Sequence, residues 1–217
     1  NRFRPNPDLK PETLLGMEGG FTLNRAFASL GQSTIQVIGF RHVLNDAVVR
    51  ITLSNPTRFQ RINRDRIESA GAELLGGFVF GNDPDRAFSI NGDATIQRIK
   101  IFDVTANDQQ RRAENNPEQR GRLEFGVPLP ANLRLFAVAR YTGTQYCLNG
   151  DTSTLDELQA RTAGDLAVQR TFSVARSGPF RFLRTLLSFD NVGDAAVYDQ
   201  CGLPQPGRTL RLTMTLR

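Results

Sequence analysis

The sequence predicts an all-β protein: an antiparallel transmembrane β-barrel segment of about nine strands, which would form an open, curved sheet in isolation. Apolar and polar residues alternate along most of the 217-residue chain, and a period of two is typical of strands with one apolar and one polar face. Several alternating segments extend to about 10 residues or more, whereas strands of globular proteins are usually about 5–6 residues long. Because transmembrane strands need about 9–11 residues, strand length favours a membrane barrel over a soluble sandwich.

Each predicted strand is assigned from its alternation or from the turn signals on either side of it. In chain order the strands are Thr13–Leu23, Thr34–Val49, Phe59–Phe80, Ala87–Phe102, Gln119–Pro128, Asn132–Thr142, Arg161–Val174, Phe180–Asn191 and Arg208–Arg217. The first follows a proline-containing loop, whose prolines enforce an extended entry. The bounds of the second and third strands are less clear, because Val48–Leu53 could extend a strand or belong to a loop. The fourth alternates over Phe88–Gln97, with apolar or small residues on one face and polar residues on the other.

The alternation also assigns side chains to two faces of the sheet. On a common apolar face we expect Phe88, Ile90, Leu123, Phe125, Leu133, Leu135, Leu166, Val168, Leu210 and Leu212. On the polar face we expect Glu18, Glu73, Asp93, Arg122, Glu124, Arg134, Arg140, Asp165, Gln169, Arg184 and Arg211. In a membrane barrel the polar face lines the lumen and the apolar face meets lipid. A solvated outer face of a soluble sheet is the alternative interpretation of the same pattern.

The predicted connections alternate in length along the chain. The short ones are Gly81–Arg86, Leu129–Ala131 and Ala175–Pro179, and the long ones are Arg50–Arg58, Asp103–Glu118, Gly143–Ala160 and Val192–Gly207. Outer-membrane barrels have short periplasmic turns and longer extracellular loops, so this alternation places all the long loops outside. The one exception is the first connection, Asn24–Ser33, which is rather long for a turn.

The two cysteines, Cys147 and Cys201, fall in the third and fourth long loops. One disulfide between these loops is compatible with the predicted topology, and an oxidising compartment would permit it. Two free thiols fit the sequence equally well.

Composition argues against a nucleic-acid-binding protein. The formal net charge is +5, but Lys10 and Lys100 are the only lysines and the arginines are spread thinly. Nucleic-acid binders usually concentrate their charge on one face. We therefore expect no nucleic-acid partner.

No stretch of the sequence approaches the roughly 20 apolar residues of a membrane-spanning helix.

The sequence also contains little that could support catalysis. The only histidine, His42, lies in a predicted strand, where a wall histidine is a better interpretation than a catalytic or metal-binding one. No Cys or His pair has the spacing of metal ligands. The Gly19-Gly20 and Gly76-Gly77 pairs lack the context of a phosphate-binding loop. We therefore predict no enzyme, no catalytic residue, no metal site and no cofactor.

Several short motifs resemble the TonB-dependent outer-membrane receptor family, in the order in which the family has them. Asn6-Pro7-Asp8-Leu9-Lys10-Pro11-Glu12 resembles a segment that precedes a strand late in the transmembrane barrel. Ile67–Glu73 resembles the family's small-Gly-Val-Glu strand through Gly71 and Glu73, with Ala72 where valine is usual. Asn191 and Asp194 resemble an Asn-Leu-x-Asp pattern, with Val192 and Gly193 as departures. Pro206–Leu212 resembles the closing strand, although Arg217 stands where receptors usually end in an aromatic residue.

The resemblance implies active import of a scarce substrate, such as an iron–siderophore complex, across the outer membrane of a Gram-negative bacterium. In the family, an N-terminal plug inside the barrel contacts TonB, which delivers energy from the inner membrane. No plug resemblance is visible here, so we expect residues 1–217 to be the C-terminal portion of a barrel of about 22 strands. The implied partners are outer-membrane lipid, TonB through the missing plug region, and a small molecule such as a metal chelate. The substrate-binding residues are not predicted.

Two other functions remain open at this point. A passive outer-membrane pore would share the strand pattern, but bacterial single-chain barrels have even strand numbers. A soluble, secreted β-sheet binding module would also alternate. A chain that stays monomeric and folded in buffer without detergent would be this soluble module and neither of the two membrane proteins.

Overall fold

The computed structural model describes residues 3–27, 31–52, 59–81, 86–148, 154–174 and 181–216, and it places nine long strands in one sheet. The strands are β1 (Thr13–Phe27), β2 (Gly31–Thr52), β3 (Phe59–Phe80), β4 (Phe88–Asp103), β5 (Gln119–Leu129), β6 (Leu133–Thr142), β7 (Arg161–Ser173), β8 (Phe182–Asp190) and β9 (Thr209–Leu216). Each pairs antiparallel with its neighbours in sequence, so the order across the sheet is β1 to β9. Within the described ranges no strand joins β1 to β9, and the sheet is open. The predicted fold class is confirmed.

The first hairpin corrects the sequence-based boundaries. β1 continues to Phe27 and β2 begins at Gly31, and these two residues are paired. The prediction of a long first connection over Asn24–Ser33 is therefore wrong. Polar residues such as Arg25 and Gln32 still occupy strand positions here, because the end of a sheet is solvated and does not require apolar side chains. At the other end β2 reaches Thr52, so the open question about Val48–Leu53 is decided for a strand extension as far as Thr52.

The strand register confirms the predicted division into faces, since directly paired residues in adjacent strands point to the same side. One continuous row crosses six strands through Ile90, Phe125, Ala137, Leu166, Phe189 and Leu210. The same register puts every residue predicted for the apolar face on the side of this row. Every residue predicted for the polar face, from Glu18 to Arg211, falls on the other side.

The sheet has no closed hydrophobic core within its described residues. The buried apolar side chains there are Ala47, Ala87, Pro117, Cys147, Ala163 and Val197. In contrast, large apolar side chains of the apolar face are open, with Phe21 63% and Leu210 69% exposed. So large an apolar surface is unusual for a soluble monomer and favours contact with lipid. No helix in the described part of the chain has the length and apolarity needed to cross a membrane.

The connections differ at the two ends of the sheet. The end that carries residues 104–118, 143–148, 154–160 and 191–208 is called the loop end, and the opposite end is called the turn end. At the turn end β5 and β6 meet through Ala131 and Asn132, whose φ values of 61° and 56° suit a tight type I′ hairpin. The predicted start of β6 at Asn132 therefore lies inside the turn.

Three of the long loops contain short strands that the sequence did not reveal. Gln109–Arg112 extends the sheet beside the end of β4. Gln145–Leu148 pairs with Leu155–Leu158, and Tyr198–Gln200 pairs with Leu203–Pro204. Each strand is four residues long or shorter, which is too short for alternation to be recognised. These strands give the loop end a defined shape.

Candidate functional site

The third and fourth long loops are joined into one unit at the loop end. Cys147 and Cys201 form a disulfide with a Cα–Cα distance of 5.6 Å. Of the two alternatives that the sequence left open, the structure therefore contains the bridge. The Gln145 side chain adds a second tie, because its Nε2 donates to the Tyr198 carbonyl oxygen at 2.7 Å. Both Cys147 and Gln145 are almost fully buried, at 1% and 5% exposure, so this contact is well packed.

Beside the fourth long loop, a cavity of about 420 Å³ opens on the polar face. This cavity, called the arginine cavity, is lined by strand and loop residues that include Arg122, Arg140, Asp165, Asp190, Pro206 and Arg211. Its arginines come from β5, β6 and β9, and the carboxylates come from β7 and β8. Alternation on each strand turns all five charged side chains to the same side. The sequence predicted the face of Arg122, Arg140, Asp165 and Arg211, but not that they line one cavity.

Each arginine of the cavity is held by one carboxylate. Arg140 Nη2 donates to Asp165 Oδ1 at 2.8 Å, and Arg211 Nη2 donates to Asp190 Oδ2 at 2.5 Å. Arg122 Nη2 donates to Glu124 Oε2 in the same way. The side chains of Arg122, Arg140 and Arg211 nevertheless remain 47%, 40% and 66% exposed. A guanidinium has five N–H donors in a planar fork, so each arginine keeps donors for a carboxylate, phosphate or phenolate oxygen of a ligand.

Asn191 and Asp194 fold the fourth long loop against this cavity. The buried Asn191 adopts a left-handed conformation with φ 51°, which asparagine tolerates better than most residues. Its Oδ1 accepts from the Ala195 backbone N–H at 2.8 Å, and its own backbone N–H donates to Asp165 Oδ1 at 2.8 Å. Asp194 Oδ1 accepts from the Arg208 N–H at 3.2 Å, just before β9. These two residues therefore position the loop that borders the arginine cavity.

The Asn6–Glu12 segment lies away from the cavity, on a bulge shared by β2 and β3. The Asp8 N–H donates to Asn6 Oδ1 at 3.1 Å, which forms a local turn around Pro7. Glu12 Oε1 accepts from the Val48 N–H at 2.7 Å, just beyond the bulge. The segment, with Leu9 and Pro11 exposed, anchors the start of β1 to its neighbours. The structure brings it near neither Cys147 nor Asn191.

Asn63 of β3 holds this segment through two hydrogen bonds to the Lys10 backbone, and the sequence did not predict this role. Its Oδ1 accepts from the Lys10 N–H at 2.7 Å, and its Nδ2 donates to the Lys10 carbonyl oxygen at 2.9 Å. The same Nδ2 donates to the carbonyl oxygen of Asp46, which has φ 55° within the bulge. No sequence signal marks Asn63, because Lys10 is 53 residues away along the chain.

Gly71 leaves space for an aromatic ring on the polar face. A Cβ at this position would lie 2.7 Å from Phe40 Cζ and 2.4 Å from the Ile96 carbonyl oxygen. Phe40 in turn stacks on His42, with ring centroids 5.4 Å apart, and His42 Nε2 lies 3.0 Å from Glu18 Oε1. Glu73, the other family-like residue of β3, lies on the same face. The motif glycine therefore has a packing role in the wall, and His42 is a wall residue.

We expect Gly71→Ala to lower the free energy of unfolding of the intact protein by about 1–3 kcal/mol, because the added methyl group overlaps backbone that cannot move freely. Gly76→Ala is the matched control on the same strand, since its Cβ would meet only the Thr34 carbonyl oxygen at 3.9 Å. The midpoint of guanidinium unfolding in detergent micelles measures both effects. Equal midpoints for the two variants would contradict the packing role.

A second polar cluster fastens the loop over residues 104–118 to β3. The buried Asp65 accepts from Arg64 Nε at 2.9 Å and from Arg111 Nη2 at 2.5 Å. At the end of β4, beyond its apolar part, the Thr105 hydroxyl donates to Asp103 Oδ1 at 2.7 Å and holds the pKa of that carboxyl below its ordinary value. The hydrogen bond from Thr105 stabilises the loop at pH values above the ordinary pKa of an aspartate, and this stabilisation is lost as the pH falls through the lowered pKa.

Within the described ranges, no three His, Cys, Asp or Glu side chains are grouped as metal ligands.

Comparison with known proteins gives one family. The family model of the TonB-dependent receptor-like β-barrel matches residues 1–192. A comparison with curated protein sequences finds no match.

Solved structures give the same fold at low sequence identity. The FrpB iron transporter from Neisseria meningitidis (F3-3 variant) is 17% identical with a TM-score of 0.69, over 97% of this chain and 32% of that one. The ferric-catecholate import receptor Fiu from E. coli K12 is 20% identical with a TM-score of 0.68, over 96% of this chain and 28% of that one. The pyoverdine receptor FpvA from Pseudomonas aeruginosa PAO1, bound to pyoverdine, is 14% identical with a TM-score of 0.68, over 95% and 30%. The chain thus spans about a third of the length of these proteins or less.

Proposed function

Since the chain belongs to the family of TonB-dependent receptor β-barrels, we propose that it forms part of the barrel wall and the extracellular loops of a receptor for TonB-energised uptake. The substrate class is an anionic metal chelate, such as an iron–siderophore complex. The family consists of receptors and transporters rather than enzymes. The receptor lies in the outer membrane of a Gram-negative bacterium, with the loop end facing outward.

The arginine cavity is the observation that supports this substrate class. Arg122, Arg140 and Arg211 lie together on the polar face, beside the fourth long loop, which a disulfide joins to the third. Chelators that bind ferric iron through catecholate or hydroxamate oxygens present a cluster of negatively charged or strongly polar oxygens. Such a cluster suits guanidinium donors. Among the structural relatives, FrpB is named an iron transporter and Fiu a ferric-catecholate import receptor.

Residues 1–217 make up the C-terminal portion of the barrel in this proposal. Nine strands are too few for a plugged transporter barrel, which has about 22. The rest of the wall, and the plug that contacts TonB, would belong to other parts of the receptor. The edges of β1 and β9, which have no partner among the described strands, would pair with that remaining wall. Outer-membrane lipid then covers the apolar face.

Uptake of radiolabelled ferric chelates by cells that produce the intact receptor tests the proposal. We expect saturable uptake that disappears in cells lacking TonB. An Arg122→Gln and Arg211→Gln double variant should raise the half-saturating concentration at least tenfold, since a charge-assisted hydrogen bond contributes about 1.5–3 kcal/mol. Arg25→Gln, an exposed substitution on the opposite face, is the control.

Two results would overturn the proposal. Uptake that persists without TonB and rises linearly with concentration would identify a passive pore. Normal uptake by the double variant, at equal surface expression, would remove the arginine cavity from substrate binding.

A further inference from the structure

A group of cations interrupts the apolar face of the sheet toward the loop end. Along β4 the apolar-face side chains include Phe88, Ile90 and Ile96, and the next two are Arg98 and Lys100. On β2, Arg41 follows Val37 and Gly39 on this face. The face continues beyond the cations with Val43 and Phe102, and the Arg66 guanidinium covers the Phe102 ring. These positions lie on the side of the sheet that meets lipid in the proposed function, and the inference rests on that membrane placement.

The register brings the cations together. Arg41 pairs with Ala70 of β3, and Ala70 pairs with Arg98, so the two arginines flank one small residue in a single row. Because adjacent strands are about 4.8 Å apart, the two arginine Cα atoms are about 10 Å apart. Lys100 lies one row further toward the loop end, opposite Glu68. Arg41, Glu68, Ala70, Arg98 and Lys100 line a shallow depression there.

The charge of this group is not balanced by its surroundings. Among the residues that the structure describes, Arg41, Arg98 and Lys100 take part in no ion pair. Glu68, the carboxylate that lies opposite Lys100, is 3.3 Å from Arg66 Nε, and Arg66 adds another cation. The last apolar-face positions on β5, β6 and β7 are Gln119, Tyr141 and Thr162. The cations are therefore a local feature of β2 to β4 and not a ring around the sheet.

The location is one where an anionic lipid headgroup would lie. A cation on the lipid-facing side costs about 2–4 kcal/mol at the bilayer midplane but about 0–1 kcal/mol near the interface. Long Arg and Lys side chains reach the headgroup level from the edge of the apolar region. Directly below the group, Gly39 and Ala72 form a row of small residues. This row leaves space against the wall for an acyl chain that hangs from a bound headgroup.

We propose that Arg41, Arg98 and Lys100 form a binding site for the phosphate group of a lipid in the leaflet at the loop end. The two arginine forks hold the phosphate oxygens from either side of Ala70, and the lysine ammonium supplies a third positive charge. The acyl chains lie along the apolar face below. A lipid is the occupant because the site adjoins the apolar row of Gly39, Ala72 and Ile96.

Native mass spectrometry of the intact receptor in neutral detergent tests this site with three probes. Dimyristoyl phosphatidic acid carries the phosphate and the chains, dimyristoyl glycerol carries only the chains, and inorganic phosphate carries only the anion. We expect phosphatidic acid to bind at least tenfold more tightly than either of the others. The triple variant Arg41→Gln, Arg98→Gln, Lys100→Gln should lose this preference. A control triple variant, Arg4→Gln, Arg25→Gln, Arg181→Gln, removes the same charge at exposed positions and should keep it.

Three outcomes would overturn the site. The first is that the Arg41, Arg98 and Lys100 triple variant binds phosphatidic acid within twofold of the unsubstituted receptor. The second is that phosphatidic acid and dimyristoyl glycerol bind equally well. The third is that inorganic phosphate at equal concentration displaces phosphatidic acid completely. Chelate uptake should be unchanged in the triple variant, because the lipid site and the arginine cavity lie on opposite faces. Failure of lipid binding with normal TonB-dependent uptake would therefore remove this inference and leave the proposed function intact.

Discussion

Replacing both cysteines, Cys147→Ser with Cys201→Ser, is expected to lower the free energy of unfolding of the intact protein by about 4 kcal/mol. The bridge closes a loop across a sequence separation of 54 residues. In the chain-entropy model, releasing a loop of that size gives the unfolded chain about this much additional freedom. The midpoint of guanidinium unfolding in detergent micelles, combined with its slope, measures the change.

Reduction provides the matched control for this prediction. A thiol reductant should shift the unfolding midpoint of the unsubstituted protein to that of the double variant, and it should leave the double variant unchanged. Loss of the bridge should also weaken binding at the arginine cavity, because Pro206 and Gly207 of the fourth loop line that cavity. A double variant that unfolds at the same midpoint as the unsubstituted protein would show that β6 to β9 hold the loops without the bridge.

The strands and their faces could be predicted because both follow from local sequence. Alternation in Phe88–Gln97 or Arg208–Arg217 assigns each side chain to a face, and hairpin connections make sequence neighbours pair. The ends of strands were harder to predict. Around Arg25 and Gln32 the alternation fades, because side chains at the end of a sheet are solvated and are no longer selected as apolar.

The contacts between distant segments could not be predicted from the sequence. Asn63 accepts from and donates to Lys10 across 53 residues, and nothing near Asn63 indicates that partner. The disulfide could not be predicted for a related reason. Two cysteines in different loops do not indicate how those loops pack against each other. The polar-face positions of Arg140 and Asp165 were predicted from alternation. Their hydrogen bond depends on the register between β6 and β7, which the sequence does not specify.

The second large effect is expected from a single charge on the apolar face. Ala137 of β6 lies between Phe125 of β5 and Leu166 of β7, in the row of apolar residues that crosses the sheet. We expect Ala137→Arg to destabilise the membrane-inserted protein by about 2–4 kcal/mol, the cost of an arginine on the lipid face near the bilayer midplane. Unfolding of the intact protein from lipid vesicles, rather than from micelles, measures this change because the hydrocarbon must be present.

The adjacent residue provides the control that separates the face from the size of the substitution. Val138 points to the polar face between Glu124 and Asp165, which already pair with Arg122 and Arg140, so Val138→Arg places the same side chain at the solvated arginine cavity and not in lipid. Its effect on the free energy of unfolding should stay within about 1 kcal/mol, because solvent-exposed charges interact only weakly. A soluble sheet with two solvated faces would tolerate both substitutions to a similar degree. Equal, small effects of Ala137→Arg and Val138→Arg would therefore contradict the assignment of this face to lipid, whereas a large effect of Ala137→Arg alone would support it.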